Sequence, residues 1–166
     1  MQVTRTYLEM TRPDQLVGVP DAPPGTSIQR IDDCPPPLYR YLYAEVGREW
    51  HWVDRLGWDD EAIRTHLAQP PVTLWTLTLC DATAGWFELM RHDDGSAEIA
   101  YFGILPAFRR RGLGKHLLTQ AVRQAWATGA HRVWLHTCTL DDPAALPNYR
   151  ARGFRPYREE TYEVDL

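Results

Sequence analysis

The densest concentration of chemistry is the run Arg109-Arg110-Arg111-Gly112-Leu113-Gly114-Lys115, where three guanidinium groups precede two glycines and the chain's one lysine. Glycine at 112 and 114 lets backbone N–H groups approach an anion without interference from a Cβ. A helix beginning there adds unpaired N–H groups and the positive end of its dipole. This is the chemistry of a phosphate cradle, but the spacing is neither G-x-x-x-x-G-K-[ST] nor G-x-G-x-x-G, so ordinary nucleotide and dinucleotide loops match poorly. Upstream, Glu98 lies in the apolar run Ala97-Glu98-Ile99-Ala100-Tyr101-Phe102-Gly103-Ile104-Leu105. An apolar setting disfavours an ionised carboxylate and makes it a better base near neutral pH. Glu88, one strand earlier, is its rival. His136 and Cys138 alternate on a strand and share a face, yet packing or backbone hydrogen bonding explains them better than a nucleophile pair.

These groups need elements to hold them. The continuous apolar run 97–105 reads as a central strand covered on both faces. Residues 112–128 read as an amphipathic helix through Leu113, Leu117, Leu118, Ala121, Val122, Ala125 and Trp126, stopped by Gly129. A strand over 132–139 then returns parallel to the central one by the crossover rule. A short helix over 144–152 ends at Gly153, and 154–164 extends as a last strand, bent near Pro156. Upstream, 72–80 and 84–91 form an antiparallel hairpin about Asp81, and His92-Asp93-Asp94-Gly95 turns into the central strand. Two helices precede the hairpin. Asp33 can cap the first, which carries Leu38, Leu42, Glu45 and Val46 until Gly47 stops it; Asp59, Asp60 and Glu61 head the second, and Pro70-Pro71 end it. Short strands are expected over 3–10 and 27–31, joined by a proline- and glycine-rich linker.

A chain of 166 residues with 44% hydrophobic content can bury one substantial core, so a single domain is expected. The net charge of -4 and pI near 5.8 suggest neither a nucleic acid nor an anionic membrane as partner. Cys34, Cys80 and Cys138 fit neither a disulfide framework nor a zinc site, and no metal is expected. Without a signal-peptide core or a spanning apolar run, a cytoplasmic location is the default expectation.

Arg109-x-x-Gly112-x-Gly114 after a strand ending in Leu105-Pro106, followed by Asn148-Tyr149-Arg150-Ala151-Arg152-Gly153-Phe154, resembles two recurring segments of the GNAT superfamily of acetyl-CoA-dependent N-acyltransferases. The element order from 27 to 164 resembles that superfamily as well. The resemblance implies an α+β fold within one domain, 1–166: a mostly antiparallel mixed sheet with one splayed parallel pair and about four flanking helices. Residues 1–26 would add an N-terminal strand and linker, and because few residues follow Phe154, that strand would substitute for a closing strand.

It further implies that backbone groups at Phe102, Gly103, Ile104 and Leu105 pair with the pantetheine arm of acetyl-CoA or another acyl-CoA. Arg111, Gly112, Leu113, Gly114 and Lys115 would hold its pyrophosphate, with Arg109 and Arg110 in the same loop. The cleft is expected between Phe102 and Leu135, with Gly103 marking the distortion. Asp142 stands where relatives often carry asparagine, a departure at one expected cofactor contact.

The implied reaction moves an acyl group from the thioester to a primary amine by direct attack, without a covalent enzyme intermediate. Glu98 takes the role of general base, directly or through water, and Tyr149 that of general acid to the leaving thiolate. The acceptor pocket is placed among Tyr39, Tyr41, Tyr43, Trp50, His51, Trp52, Asp54, Arg55 and Trp58, with Glu88 counted among the substrate-binding residues; aromatic faces could hold an amine and Asp54 could orient a cation. A small-molecule amine, a peptide N-terminus and a protein lysine all fit as acceptors. A non-catalytic acyl-CoA sensor or structural domain is the alternative, and a phosphate-ligand binding module a more distant one. Exposed strand edges could also pair two copies into a homodimer.

Overall fold

Period-two alternation of β-branched and aromatic residues yields seven strands, and apolar residues at helical spacing yield four α-helices; the computed structural model describes all 166 residues. In chain order these are β1 (Gln2–Met10), β2 (Thr26–Ile31), α1 (Pro36–Gly47), α2 (Asp60–Leu67), β3 (Val72–Leu79), β4 (Ala82–Arg91), β5 (Ser96–Ile104), α3 (Leu113–Ala127), β6 (Arg132–Cys138), α4 (Ala145–Ala151) and β7 (Arg155–Glu163). The strands form one sheet in the order β2-β3-β4-β5-β6-β1-β7. Only β5 and β6 run parallel. No helix is long and apolar enough to cross a membrane.

Each face of the sheet buries its own core. On the front, α1 and α2 bring Tyr39, Leu42, Val46 and Ile63 against Leu74 and Trp86. On the back, Leu117, Leu118, Ala121 and Val122 of α3 cover Leu8, Phe87, Val133 and Leu135. Trp86 and Phe87 are neighbours in β4, both fully buried, and face opposite ways because strand side chains alternate. Burying a side chain of this size contributes about 1.5–3 kcal/mol.

Asp59 caps α2 as expected, accepting from the Ala62 N–H at 2.8 Å. Asp33 does not cap α1. It adopts a left-handed φ of 52°, and the cap position falls to Pro35, with proline in the first turn where a missing N–H costs nothing. The terminal strand bends near Pro156 as expected, through a register shift opposite Tyr7 and Leu8.

The N-terminal strand does close the sheet. β1 lies between β6 and β7, pairing Leu8 with Leu135 and Val3 with Tyr162. This position sets Arg5 opposite Cys138 and Tyr7 opposite His136.

Two irregularities in β5 shape the rest. Its ladder with β4 pairs Glu88 with Tyr101 but Leu89 with Ile99, so Ala100 is an extra residue, a β-bulge. Ile99 and Phe102 pack into the back core, so the bulge turns both Glu98 and Tyr101 to the front, which an unbroken period of two forbids. The ladder with β6 contains only three pairs, ending at Glu98 and Trp134, after which the strands part. The distortion therefore lies at Ala100 rather than at Gly103. Glycine is needed at 103 for another reason: a Cβ there would collide with Val46 Cγ1, and Val46 is where α1 lies on the sheet.

Candidate functional site

The parting of β5 and β6 opens a cleft of about 1350 Å³, walled by β5, the 48–59 connection, the N-terminus of α3, the segment after β6, β1 and β7. Phe102, Gly103 and Ile104 line it. Leu135 does not, because it points into the back core; the β6 residues in the cleft are His136 and Cys138. His136 also packs on the Tyr7 ring at 5.5 Å, and the Cys138 N–H donates to Asp141 Oδ2 at 3.0 Å.

At the donor end, Gly112 holds a φ of 74° and no side chain caps α3, which leaves its first N–H groups available to an anion. Arg110 is also left-handed, at φ 63°. Arg109, Arg110, Gly112, Leu113, Gly114, Lys115 and Asp142 all line the cleft. Two expected members do not. Arg111 places its guanidinium 5.5 Å from the Phe108 ring centre, outside the cleft lining. Leu105 is buried, its N–H is spent on the Ala84 carbonyl at 2.8 Å, and its own carbonyl accepts from Phe108. Asp142 accepts from the Ala144 N–H at 2.9 Å and so also braces the turn before α4. Arg109 bridges the two ends: it pairs with Glu49 at 3.1 Å and lies 5.1 Å from the Trp50 ring centre.

Tyr149 also lines the cleft, its ring edge-on to Phe102 and to Phe154 at 6.3 Å each. Burial, reinforced by the charges of Asp141 and Asp142, pushes its phenol well above the usual value. The hydroxyl therefore keeps its proton at neutral pH.

Glu98 stands at the apex where the strands part. Its Oε1 lies 2.9 Å from His92 Nε2, its side chain is 14% exposed, and it lines the cleft. Glu88 is placed quite differently: it is fully buried and outside the cleft lining. Its carboxylate accepts from Arg55 at 2.8 and 3.0 Å and from Tyr39 at 2.8 Å, and lies 3.0 Å from His66 Nε2. Burial alone would raise its pKa, but the hydrogen bond from His66 and the charge of Arg55 outweigh burial and hold the carboxyl below its usual range. Glu88 has no lone pair to spare for a further ligand; it anchors the 48–59 connection through Arg55.

Of the expected acceptor residues, Tyr43, Trp50, His51, Trp52, Asp54 and Arg55 line the cleft. Tyr39 turns inward to Glu88 and Arg55, Trp58 packs on His66 at 5.2 Å, and Tyr41 faces solvent. None of these three lines the cleft. Tyr43 and Trp52 stand edge to face with Tyr101 at 5.2 and 5.0 Å and tilted to each other at 5.6 Å, and the Arg55 guanidinium lies 4.4 Å from the Tyr101 ring centre. His136 opens into the cleft; burial by the surrounding protein, then the charge of Arg5, pulls its pKa below the usual value and keeps it neutral near pH 7.

Sequence reasoning missed Arg5 and Tyr162, which line the cleft from β1 and β7. Their alternation with apolar residues was visible, but no local pattern says that β1 inserts beside β6.

An uncapped helix N-terminus, an unpaired strand edge and a long cleft joining them fit an extended ligand with a phosphate at one end and a pantetheine-like arm. Gly112 to Lys115 would hold the phosphates and the open edge of β5 the arm. This arrangement defines an α+β protein built around a splayed parallel strand pair. The profile of the Acetyltransferase (GNAT) family matches residues 38–154, and the chain belongs to that family.

Solved structures agree on the fold. A GCN5-related N-acetyltransferase from Kribbella flavida superposes with a TM-score of 0.66 at 21% identity, covering 92% of this chain and 54% of that one. One from Sphaerobacter thermophilus gives 0.70 at 18% identity, covering 95% and 49%. A tandem GNAT protein from the clavulanic acid biosynthesis pathway gives 0.66 at 19% identity, covering 95% and 51%. The chain thus spans about half the length of these relatives. Among curated protein sequences none matches significantly.

Proposed function

We propose that this protein is an N-acyltransferase that moves an acetyl or similar acyl group from CoA to a primary amine. The observation that carries the reading is the three-pair β5–β6 ladder opening toward the uncapped N-terminus of α3, with Glu98 at the apex and Tyr149 on the wall. When bound, an acyl-CoA supplies an acyl group activated as its thioester.

The chain's own groups divide the remaining tasks. The acceptor arrives as an ammonium and must lose a proton, and Glu98 is the carboxylate that lines the cleft where the strands part, free of an arginine or lysine partner. Its hydrogen bond to His92 fixes the carboxylate's orientation. Unpaired backbone N–H groups past Glu98 on β5 can polarise a carbonyl set against that edge. Tyr149, still protonated, donates a hydrogen bond to the departing sulfur. Tyr43, Trp52 and Tyr101 exclude water from the amine's path.

Calorimetric titration with acetyl-CoA should give one site per chain, and intact-mass measurement after acetyl-CoA alone should show the protein unmodified, as direct transfer requires. A folded protein that binds no acyl-CoA contradicts the reading, and a stoichiometric acyl adduct contradicts direct attack.

A further inference from the structure

Three arginines on or beside the front of the sheet pair with carboxylates. Arg55 pairs with Glu88 at 2.8 Å, Arg132 with Glu9 at 3.1 Å, and Arg158 with Glu160. Arg5 has no carboxylate at ion-pair distance. Its guanidinium lies 4.9 Å from the Tyr162 ring centre, touches the Tyr162 hydroxyl at 3.5 Å, and leaves Nε buried without a hydrogen-bond partner. Glu160, opposite Arg5 on β7, is already taken by the Tyr7 hydroxyl at 3.0 Å and by Arg158. Arg5 is therefore a guanidinium held in place by an aromatic ring, facing the cleft, with its charge uncompensated.

Across the cleft stand Asp54 and Glu98, neither paired with an arginine or lysine. The cleft thus offers carboxylates that suit an ammonium and, at Arg5, a guanidinium that suits an anion. A guanidinium fork matches a carboxylate, donating two parallel hydrogen bonds in a geometry that an ammonium cannot offer. Arg5 lies opposite Cys138 and Glu98 opposite Trp134, four residues apart along β6, a rise of about 13 Å that both side chains shorten.

We propose that the acceptor is a primary amine that also carries a carboxylate several bonds away, with the carboxylate on Arg5 and the amine at Glu98. This rests on the acyl-transfer reading and names its substrate class.

The test is a set of ω-amino acids from glycine to 6-aminohexanoate beside their neutral amides, with acetyl-CoA as donor. The wild-type protein should favour the longer acids over their amides by tenfold or more in kcat/KM. Arg5→Gln should abolish that ratio and Arg5→Lys restore part of it, with acetyl-CoA affinity within twofold throughout. Equal rates on acid and amide, or a ratio that survives Arg5→Gln, overturn the assignment and leave acyl transfer standing. Turnover of no amine by protein that binds acetyl-CoA overturns both. Should Arg5→Gln fail to fold, the wild-type acid-to-amide ratio alone decides.

Discussion

On the donor side of the cleft, residues 98–115 are one stretch of chain, and the groups offered to a ligand are largely backbone N–H and C=O at β5 and the start of α3. On the acceptor side, α1, β1 and β7 each contribute one or two side chains and the 48–59 connection several, held by a buried ion cluster at Glu88 and by aromatic contacts. The first kind of site depends on conformation, so it tolerates most side-chain changes and fails at a few glycines. The second depends on which side chains arrive, so it can change specificity without disturbing the donor. Glu98 belongs to both, because the bulge at Ala100 turns it from the donor strand toward the acceptor.

The largest effect is expected at that shared residue. Glu98→Gln should lower kcat/KM by about 10²–10⁴-fold, the usual contribution of a general base. Acetyl-CoA affinity should not change; an unchanged kcat/KM would remove Glu98 from the chemistry.

Glu88→Ala comes next and should act on stability. Removing one partner of a buried ion cluster typically costs about 3–5 kcal/mol, readable by urea unfolding. The sign with pH follows from the depressed carboxyl. Between its folded value and the ordinary value of about 4.5, the unfolded chain binds more protons. The cluster's contribution is therefore complete above about pH 4.5 and is lost as pH falls through the folded value. Glu88→Gln should reduce that acid slope, whereas an unchanged slope would mean that Glu88 is not the group responsible.

Gly112→Ala tests the donor side alone. A left-handed φ costs a residue with a Cβ about 1–2 kcal/mol, which corresponds to roughly 5–30-fold weaker acetyl-CoA binding if the loop relaxes out of its cradle. Acceptor KM should be untouched. The smallest effect belongs to Arg111→Ala. Because Arg111 lies on Phe108 rather than in the cleft, calorimetry should find acetyl-CoA affinity changed by less than about twofold, well under the tenfold that about 1.4 kcal/mol represents.

The same contrast explains what the sequence disclosed. The strand, loop and helix from Ala97 to Gly129 are contiguous, strongly periodic and marked by glycines, so their fold and most of their site residues were legible. Gly103 was misread because a glycine in a strand signals a bulge or a close approach equally well, and only the position of Val46 separates the two. Tyr39, Trp58 and Glu88 have the composition of an acceptor pocket, but a helix's radial direction sends Tyr39 inward to Glu88 and Arg55. Arg5 was invisible as a site residue for the opposite reason. Its role follows from long-range pairing of β1 with β6, which no local pattern encodes.

The most direct measurement is release of free CoA thiol from acetyl-CoA in the presence of a panel of primary amines, with the N-acylated product identified by mass. Thiol release should depend on the amine and fall sharply in Glu98→Gln. Tight acetyl-CoA binding with no amine-dependent release would contradict acyl transfer and leave a binding domain in place of an enzyme.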